Sequence, residues 1–321
     1  KARPYATTPN RQNKSKNLIN FKNMFVKAIE IASEYTRPIH SILRNYGSDE
    51  IEPGCATLIL INDEGYAITC KHVIDGLIAP ADKINEQYAL FCQERDALPQ
   101  NNKRKKLLAS IENRYKYHKG GTTVNVKNRF LGILDKMSDF QYLCHPTEDL
   151  AIIKFNGFSK IFCNKFPILA KDGEQAKQGK SMCRLGYPYP EFTNYKYNKD
   201  TDDIEWTDMG RGSSPKFPID GIVTRLVTND QGATVGIELS TPGLKGQSGG
   251  PLFDSNGVLY GMQSQTVTLP LGFDQVDREI KVNGKKKKVN DYSFIHLGRC
   301  VHINVIKDFL DQHGVKYNIE P

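Results

Sequence analysis

The string Gly246–Gln247–Ser248–Gly249–Gly250–Pro251–Leu252–Phe253 is the most chemically specific stretch of the chain. A nucleophilic serine needs a main chain that approaches its substrate closely and aims N–H groups at a developing oxyanion. Glycines on both sides permit that backbone. An isolated Ser-Gly-Gly reads as a turn between strands. Here it runs on into an apolar strand, a turn at 254–257 and another strand, and that context favours chemistry. A serine hydroxyl at its free pKa is a poor nucleophile, so a base must activate it. Of the seven histidines, His40, His118, His145, His296, His302 and His313 have no strong local context and read as surface or packed residues. His72 stands at the exit of a strand, in Ile68–Thr69–Cys70–Lys71–His72–Val73–Ile74, where the backbone is held and the ring can face a cleft. A third group must orient that imidazole and stabilise its charged form. Asp149, in Glu148–Asp149–Leu150–Ala151–Ile152, puts a carboxylate at the mouth of an apolar strand, although alone it would read as a turn cap.

The elements that must hold these residues are mostly strands. Runs 55–61 and 66–70 are apolar and β-branched, joined by a turn at 62–65, and the hairpin delivers the chain to His72. Runs 122–126, 149–155, 181–185, 221–227, 234–239, 258–262 and 292–297 are similar, punctuated by Gly, Pro, Asn and Asp. Many short strands without alternating long helices argue an all-β barrel or sandwich over a βαβ fold. Residues 18–34 carry apolar side chains at three- and four-residue steps, which predicts an N-terminal helix ended or redirected by Arg37-Pro38. An insertion at about 77–130 reads as helical or irregular over 84–98 and 103–117. Residues 187–218 form a long polar loop. Residues 280–289 read as a hairpin with Asn283–Gly284 at its tip, and 304–313 as a terminal helix capped by Asn304 and stopped by Gly314.

The 321 residues carry 44 Lys and Arg against 36 Asp and Glu, a net charge of +8, with 39% hydrophobic and 25% charged. That composition supplies a core and, at ~100–200 residues per domain, about two folding units. No run approaches the ~20 apolar residues of a membrane-spanning helix, and the basic tail 1–17 lacks a basic-then-apolar signal pattern. Cysteines 55, 70, 92, 144, 163, 183 and 300 are odd in number and include no CxxC pair. They read as reduced thiols of a cytoplasmic protein, not as a disulfide framework or zinc site. The charge is local, in the tail, in 101–129 with nine basic residues and one acid, and in Lys285–Lys288. A solvated basic face is favoured there over nucleic-acid binding. Tyr115 and Tyr117 among Arg114, Lys116 and Lys119 keep base stacking in play, and an acidic protein partner is the other candidate.

Taken together, the order His72, Asp149, Ser248 resembles the chymotrypsin-like (trypsin-like) serine peptidases, and more narrowly the bacterial HtrA-type and other intracellular trypsin-like peptidases. GYAITCKHVI, EDLAIIKF, LGYPYP and GQSGGPLFDSNGVLYGMQSQ carry the resemblance, over roughly 53–310 with insertions. It implies two six-stranded antiparallel β-barrels sharing one cleft: 18–165 with His72 and Asp149, and 166–321 with Ser248 and the terminal helix. It implies that Ser248 attacks, His72 shuttles the proton and Asp149 holds His72. The N–H groups of Gly246 and Ser248 would form the oxyanion hole, and the Ser264 hydroxyl would support Asp149. Gln263, Ser264 and Gln265 would pair with substrate backbone. Thr241, Pro242, Gly243, Leu244 and Lys245 would line the pocket for the residue before the scissile bond. No acid stands where Arg/Lys-specific members carry Asp, so a small or apolar preference is expected. Gln247 replaces the Asp that pairs with a new N-terminus in secreted zymogens, so activity is expected to be constitutive or controlled by the insertions or a regulatory protein partner. No PDZ domain, metal, cofactor or membrane contact is expected. The substrate is a protein or peptide. The competing reading is a catalytically silent scaffold, against which the presence of all three residues argues.

Overall fold

The computed structural model describes residues 24–321; the expected basic tail and the first turns of the expected N-terminal helix lie outside them. Helix α1 (Val26–Tyr35) packs Ala28, Ala32 and Tyr35 into the core. It ends one residue before Arg37-Pro38, and that dipeptide lies inside strand β1 (Thr36–Asn45), which the sequence reading missed. Pro38 removes a ladder donor, yet β1 pairs continuously with β2 (Ile51–Leu60) from Thr36 to Arg44. β3 (Tyr66–Thr69) completes the expected hairpin with β2.

The insertion holds α2 (Ala81–Asp96) and α3 (Arg104–Tyr115). Its predicted end at 130 is corrected: β4 (Thr123–Phe130) pairs with β1 and belongs to the first sheet. The alternation Val124, Val126 on one face, with Thr123, Asn125 and Lys127 on the other, is strand and not helix. β5 (Asp139–Cys144) and β6 (Ala151–Asn156) finish a sheet ordered β4-β1-β2-β3-β6-β5. Its edge strands meet through the rings of Phe130 and Phe140, centroids 5.1 Å apart, so the sheet curls into a half-barrel.

The second sheet begins after β7 (Ile168–Leu169) with β8 (Ser181–Gly186). The long polar loop contains its own hairpin, β9 (Tyr195–Asn198) and β10 (Asp203–Trp206). β11 (Phe217–Thr228), β12 (Thr234–Leu239), β13 (Pro251–Phe253) and β14 (Leu259–Pro270) follow. A projecting hairpin, β15 (Gln275–Val282) and β16 (Lys285–Asp291), turns at Asn283 and Gly284, both with positive φ. β17 (Phe294–His302) returns to the sheet. Because β13 pairs with both β8 and β14, the strands β8-β11-β12-β17-β14-β13 form a closed six-stranded ring. β7 and β18 (Asn318–Ile319) add a short parallel edge. The architecture is the expected all-β double barrel.

Helix α4 (Ile303–Gln312) closes the chain with Ile303, Ile306, Phe309 and Leu310 buried. Its cap is His302, whose Nδ1 accepts from the Asn304 N–H at 3.2 Å, and not Asn304 itself. An imidazole nitrogen does here what a Ser or Asp oxygen usually does.

Candidate active site

His72 enters from the β3 end, on one turn of helix that starts after Cys70. Asp149 lies just before β6, the neighbour of β3 in the sheet, so strand pairing brings the two together across 77 residues. The contact is double. The His72 backbone N–H donates to Asp149 Oδ1 at 3.0 Å, and its ring Nδ1 lies 2.8 Å from Oδ2. Burial raises the Asp149 pKa, but hydrogen bonds from the His72 ring, the His72 backbone and the Cys70 thiol outweigh it and hold the carboxyl below its usual value. A ring nitrogen facing an ionised carboxylate carries its proton there, leaving Nε2 free to accept.

The loop carrying Ser248 is braced from both barrels. The Thr57 N–H, on β2, donates to Ser248 O at 2.9 Å, and Thr57 Oγ1 donates to Gly246 O at 2.8 Å. Gly249, with φ +88°, could not take a side chain: an added Cβ would sit 1.9 Å from Thr57 O. Gln247 is fully buried and ties the loop internally. Its Oε1 accepts from Leu244 N–H at 3.0 Å and its Nε2 donates to Phe217 O at 3.1 Å. Where zymogen-type relatives would need a charged partner, this loop is held by an amide. Among the described residues, Gly246 and Ser248 donate their N–H groups to no protein acceptor.

Ser248 Oγ is 3.4 Å from Ser264 O and makes no hydrogen bond to His72 among the described residues. Bonds between nucleophile and base are often loose before substrate arrives. Ser264 departs from its expected role, since its hydroxyl donates to Arg299 O at 3.1 Å and does not reach Asp149. Cys70, buried beside Asp149, takes that position instead, with its Sγ 3.2 Å from Gln263 O. A cleft of about 580 Å³ runs alongside, lined by His72, Asp149, Ser264, Gln265 and Arg299. The atoms of Cys70, His72 and Asp149 lie within 4.8 Å of one another, a spacing that could hold a metal ion. Burial first, then Asp149, pushes the Cys70 thiol well up, which makes it a poor thiolate ligand.

Residues 56–262 match the family model described as trypsin-like peptidase domain. The chain belongs to that family. No curated protein matches the sequence. One solved structure similar to this peptidase is an HtrA-type protease with a decapeptide, 11% identical, with a TM-score of 0.44, over 90% of this chain and 67% of that one.

The remaining expected site residues of the peptidase fall in two groups. Thr241, Pro242, Gly243 and Leu244 form one wall and Gln263 to Gln265 on β14 the facing one, joined where Thr266 Oγ1 donates to Gly243 O at 2.8 Å. Lys245 is exposed. The sequence reading missed Arg184 on β8, which lies behind both walls. The base-stacking idea is corrected. Tyr117 is buried and Tyr115 partly so, in an aromatic cluster with Tyr46, Tyr88 and Phe91, and the Tyr115 hydroxyl donates to Glu94. Apolar packing claims the rings, and Lys103, Lys105 and Lys106 remain as a solvated face.

Proposed function

We propose that the protein is a serine endopeptidase that cleaves protein substrates through His72, Asp149 and Ser248. The observation that carries this reading is the double grip of His72 on one carboxylate, beside a glycine-framed serine loop whose Gly246 and Ser248 N–H groups are unspent. In the proposed reaction His72 Nε2 takes the Ser248 proton as Oγ adds to the scissile carbonyl. The two N–H groups receive the oxyanion, and the imidazolium returns its proton to the departing amine. Water, deprotonated by the same His72, then releases the acyl group from Ser248. No cofactor is required.

The amide-braced loop supports activity without N-terminal insertion, with control left to the insertions or to a protein partner. Seven free thiols support a cytoplasmic setting, and no helix among the described residues is long and apolar enough to cross a membrane. The deciding experiment is covalent labelling by a fluorophosphonate together with cleavage of an unfolded protein. Wild type should react in both assays and Ser248→Ala in neither. Labelling that persists in Ser248→Ala would overturn the assignment.

A further inference from the structure

We infer that the pocket between 241–245 and 263–266 selects an acidic residue before the scissile bond, with Arg184 as its buried positive charge and Gln263 as the group that charge orients. The inference rests on the serine-peptidase reading and adds a substrate class to it.

Arg184 is fully buried, and all its partners are neutral. Nη1 donates to Gln263 Oε1 at 2.6 Å, while Nη2 donates to Thr241 Oγ1 at 2.7 Å, Thr241 O at 3.0 Å and Pro242 O at 3.1 Å. Nε has no partner. Arg184 enters no ion pair among the described residues, although Arg44, the other deeply buried arginine, is paired with Asp202. The neighbouring Cys183 and Cys300 do not supply the charge, because burial pushes both thiols up to about 12. A guanidinium stays protonated even when buried, and an uncompensated buried charge is costly. The chain therefore keeps a cation behind the two pocket walls with no anion of its own.

The surroundings are shaped to admit it. A Cβ on Gly298, opposite Thr266 on β17, would fall 2.0 Å from Arg184 Nη1, so only glycine leaves room for the guanidinium. Arg184 also decides which way Gln263 points. With Oε1 held by Nη1, Nε2 is turned toward Gly243, where an added Cβ would meet it at 2.3 Å. Nε2 donates one hydrogen to Gln265 O at 2.9 Å and keeps the other. A side chain entering beside Gly243 would meet an N–H donor with a positive charge behind it. A carboxylate satisfies both. A lysine would meet a like charge in a low-dielectric site, and a leucine would strand the donor. The Thr266 hydroxyl bridging to Gly243 O can swing its proton to the same ligand.

The test uses matched peptides that differ only before the scissile bond: Glu, Asp, Gln, Leu or Lys. Wild-type kcat/KM should favour Glu or Asp over Gln by tenfold or more, with Lys the poorest. In Arg184→Met the Glu to Gln ratio should fall toward one. A merely structural loss would slow both peptides alike and leave the ratio standing. If that variant does not fold, the isosteric Glu and Gln pair on the wild type decides alone, and Gln263→Leu provides a second measurement. Wild type that takes up the fluorophosphonate yet prefers Leu or Lys, or treats Glu and Gln alike, overturns this inference and spares the peptidase reading. Wild type that takes up no label and cleaves none of the peptides overturns both.

Discussion

Thr57 and Ser248 are joined main chain to main chain across the barrel interface, Thr57 N–H to Ser248 O at 2.9 Å. The same threonine works through its hydroxyl as well, donating to Gly246 O at 2.8 Å and accepting from Tyr187 N–H at 3.2 Å. The loop that presents the serine is thus set by a strand of the other barrel, and the relative position of the two barrels is written into its geometry.

Thr57→Val keeps shape and removes the hydroxyl, leaving Gly246 O and Tyr187 N–H buried without this partner. The expected cost is about 1–3 kcal/mol of stability for each orphaned group. A small displacement of the Gly246 peptide should also lower kcat by about tenfold to a hundredfold. Thr57→Ser should restore both. Thermal unfolding and kinetics on the three proteins check it, and a Val variant as active as the Ser variant would remove the loop-bracing role.

Asp149→Asn should lower kcat by about 10⁴-fold with little change in KM, because an amide can present its N–H to His72 and stabilise the wrong tautomer. The fold should survive, since the His72 backbone N–H can still donate to the remaining oxygen at the Oδ1 position. Steady-state kinetics and a circular dichroism spectrum separate the two effects. A loss of less than tenfold would remove Asp149 from the proposed reaction.

Much of this site was legible because its constraints are local. The glycines around Ser248 report a backbone that tolerates no Cβ, and the strand running into His72 reports its fixed exit. What stayed hidden acts between distant segments. Arg184 sits in an ordinary strand, and only the fold carries its guanidinium to Thr241, Pro242 and Gln263, 57 to 79 residues on. Nothing near Ser264 in sequence says that its hydroxyl turns to Arg299 O. β1 was masked by Pro38, a residue that speaks against a strand unless its neighbours are seen.

His40 provides a pH handle away from the cleft. It is buried, stacked on Phe192 at 4.0 Å and joined to the Ser214 hydroxyl at 2.9 Å. Burial lowers its pKa from 6.5 to about 4. The unfolded chain binds a proton as pH falls through about 6.5, whereas folded His40 does so only near 4. Its contribution is complete above the higher value and is lost between the two, by up to about 3 kcal/mol. Melting temperature should therefore fall from pH 7 to pH 4, and less steeply in His40→Gln. Parallel curves for the two proteins would contradict this.

Asp202 fastens the helical insertion to the rest of the molecule. From a left-handed backbone position, φ 52°, its carboxylate pairs with Arg44 at 3.0 Å and with Arg95, and accepts from the hydroxyls of Tyr88 at 2.8 Å and Tyr197 at 2.7 Å. Arg44 and Tyr197 flank the first barrel and the β9–β10 hairpin, while Tyr88 and Arg95 belong to α2. Asp202→Asn keeps a residue that tolerates the left-handed region but removes the charge opposite a buried guanidinium. The expected loss is about 3 kcal/mol. Amide exchange should quicken in α2 and α3 before it does in β8, β11 and β14, because the insertion's own core is small and this carboxylate binds it from outside. Uniform quickening across the chain would instead make Asp202 part of one cooperative unit with the barrels, and control through the insertion would then need another hinge.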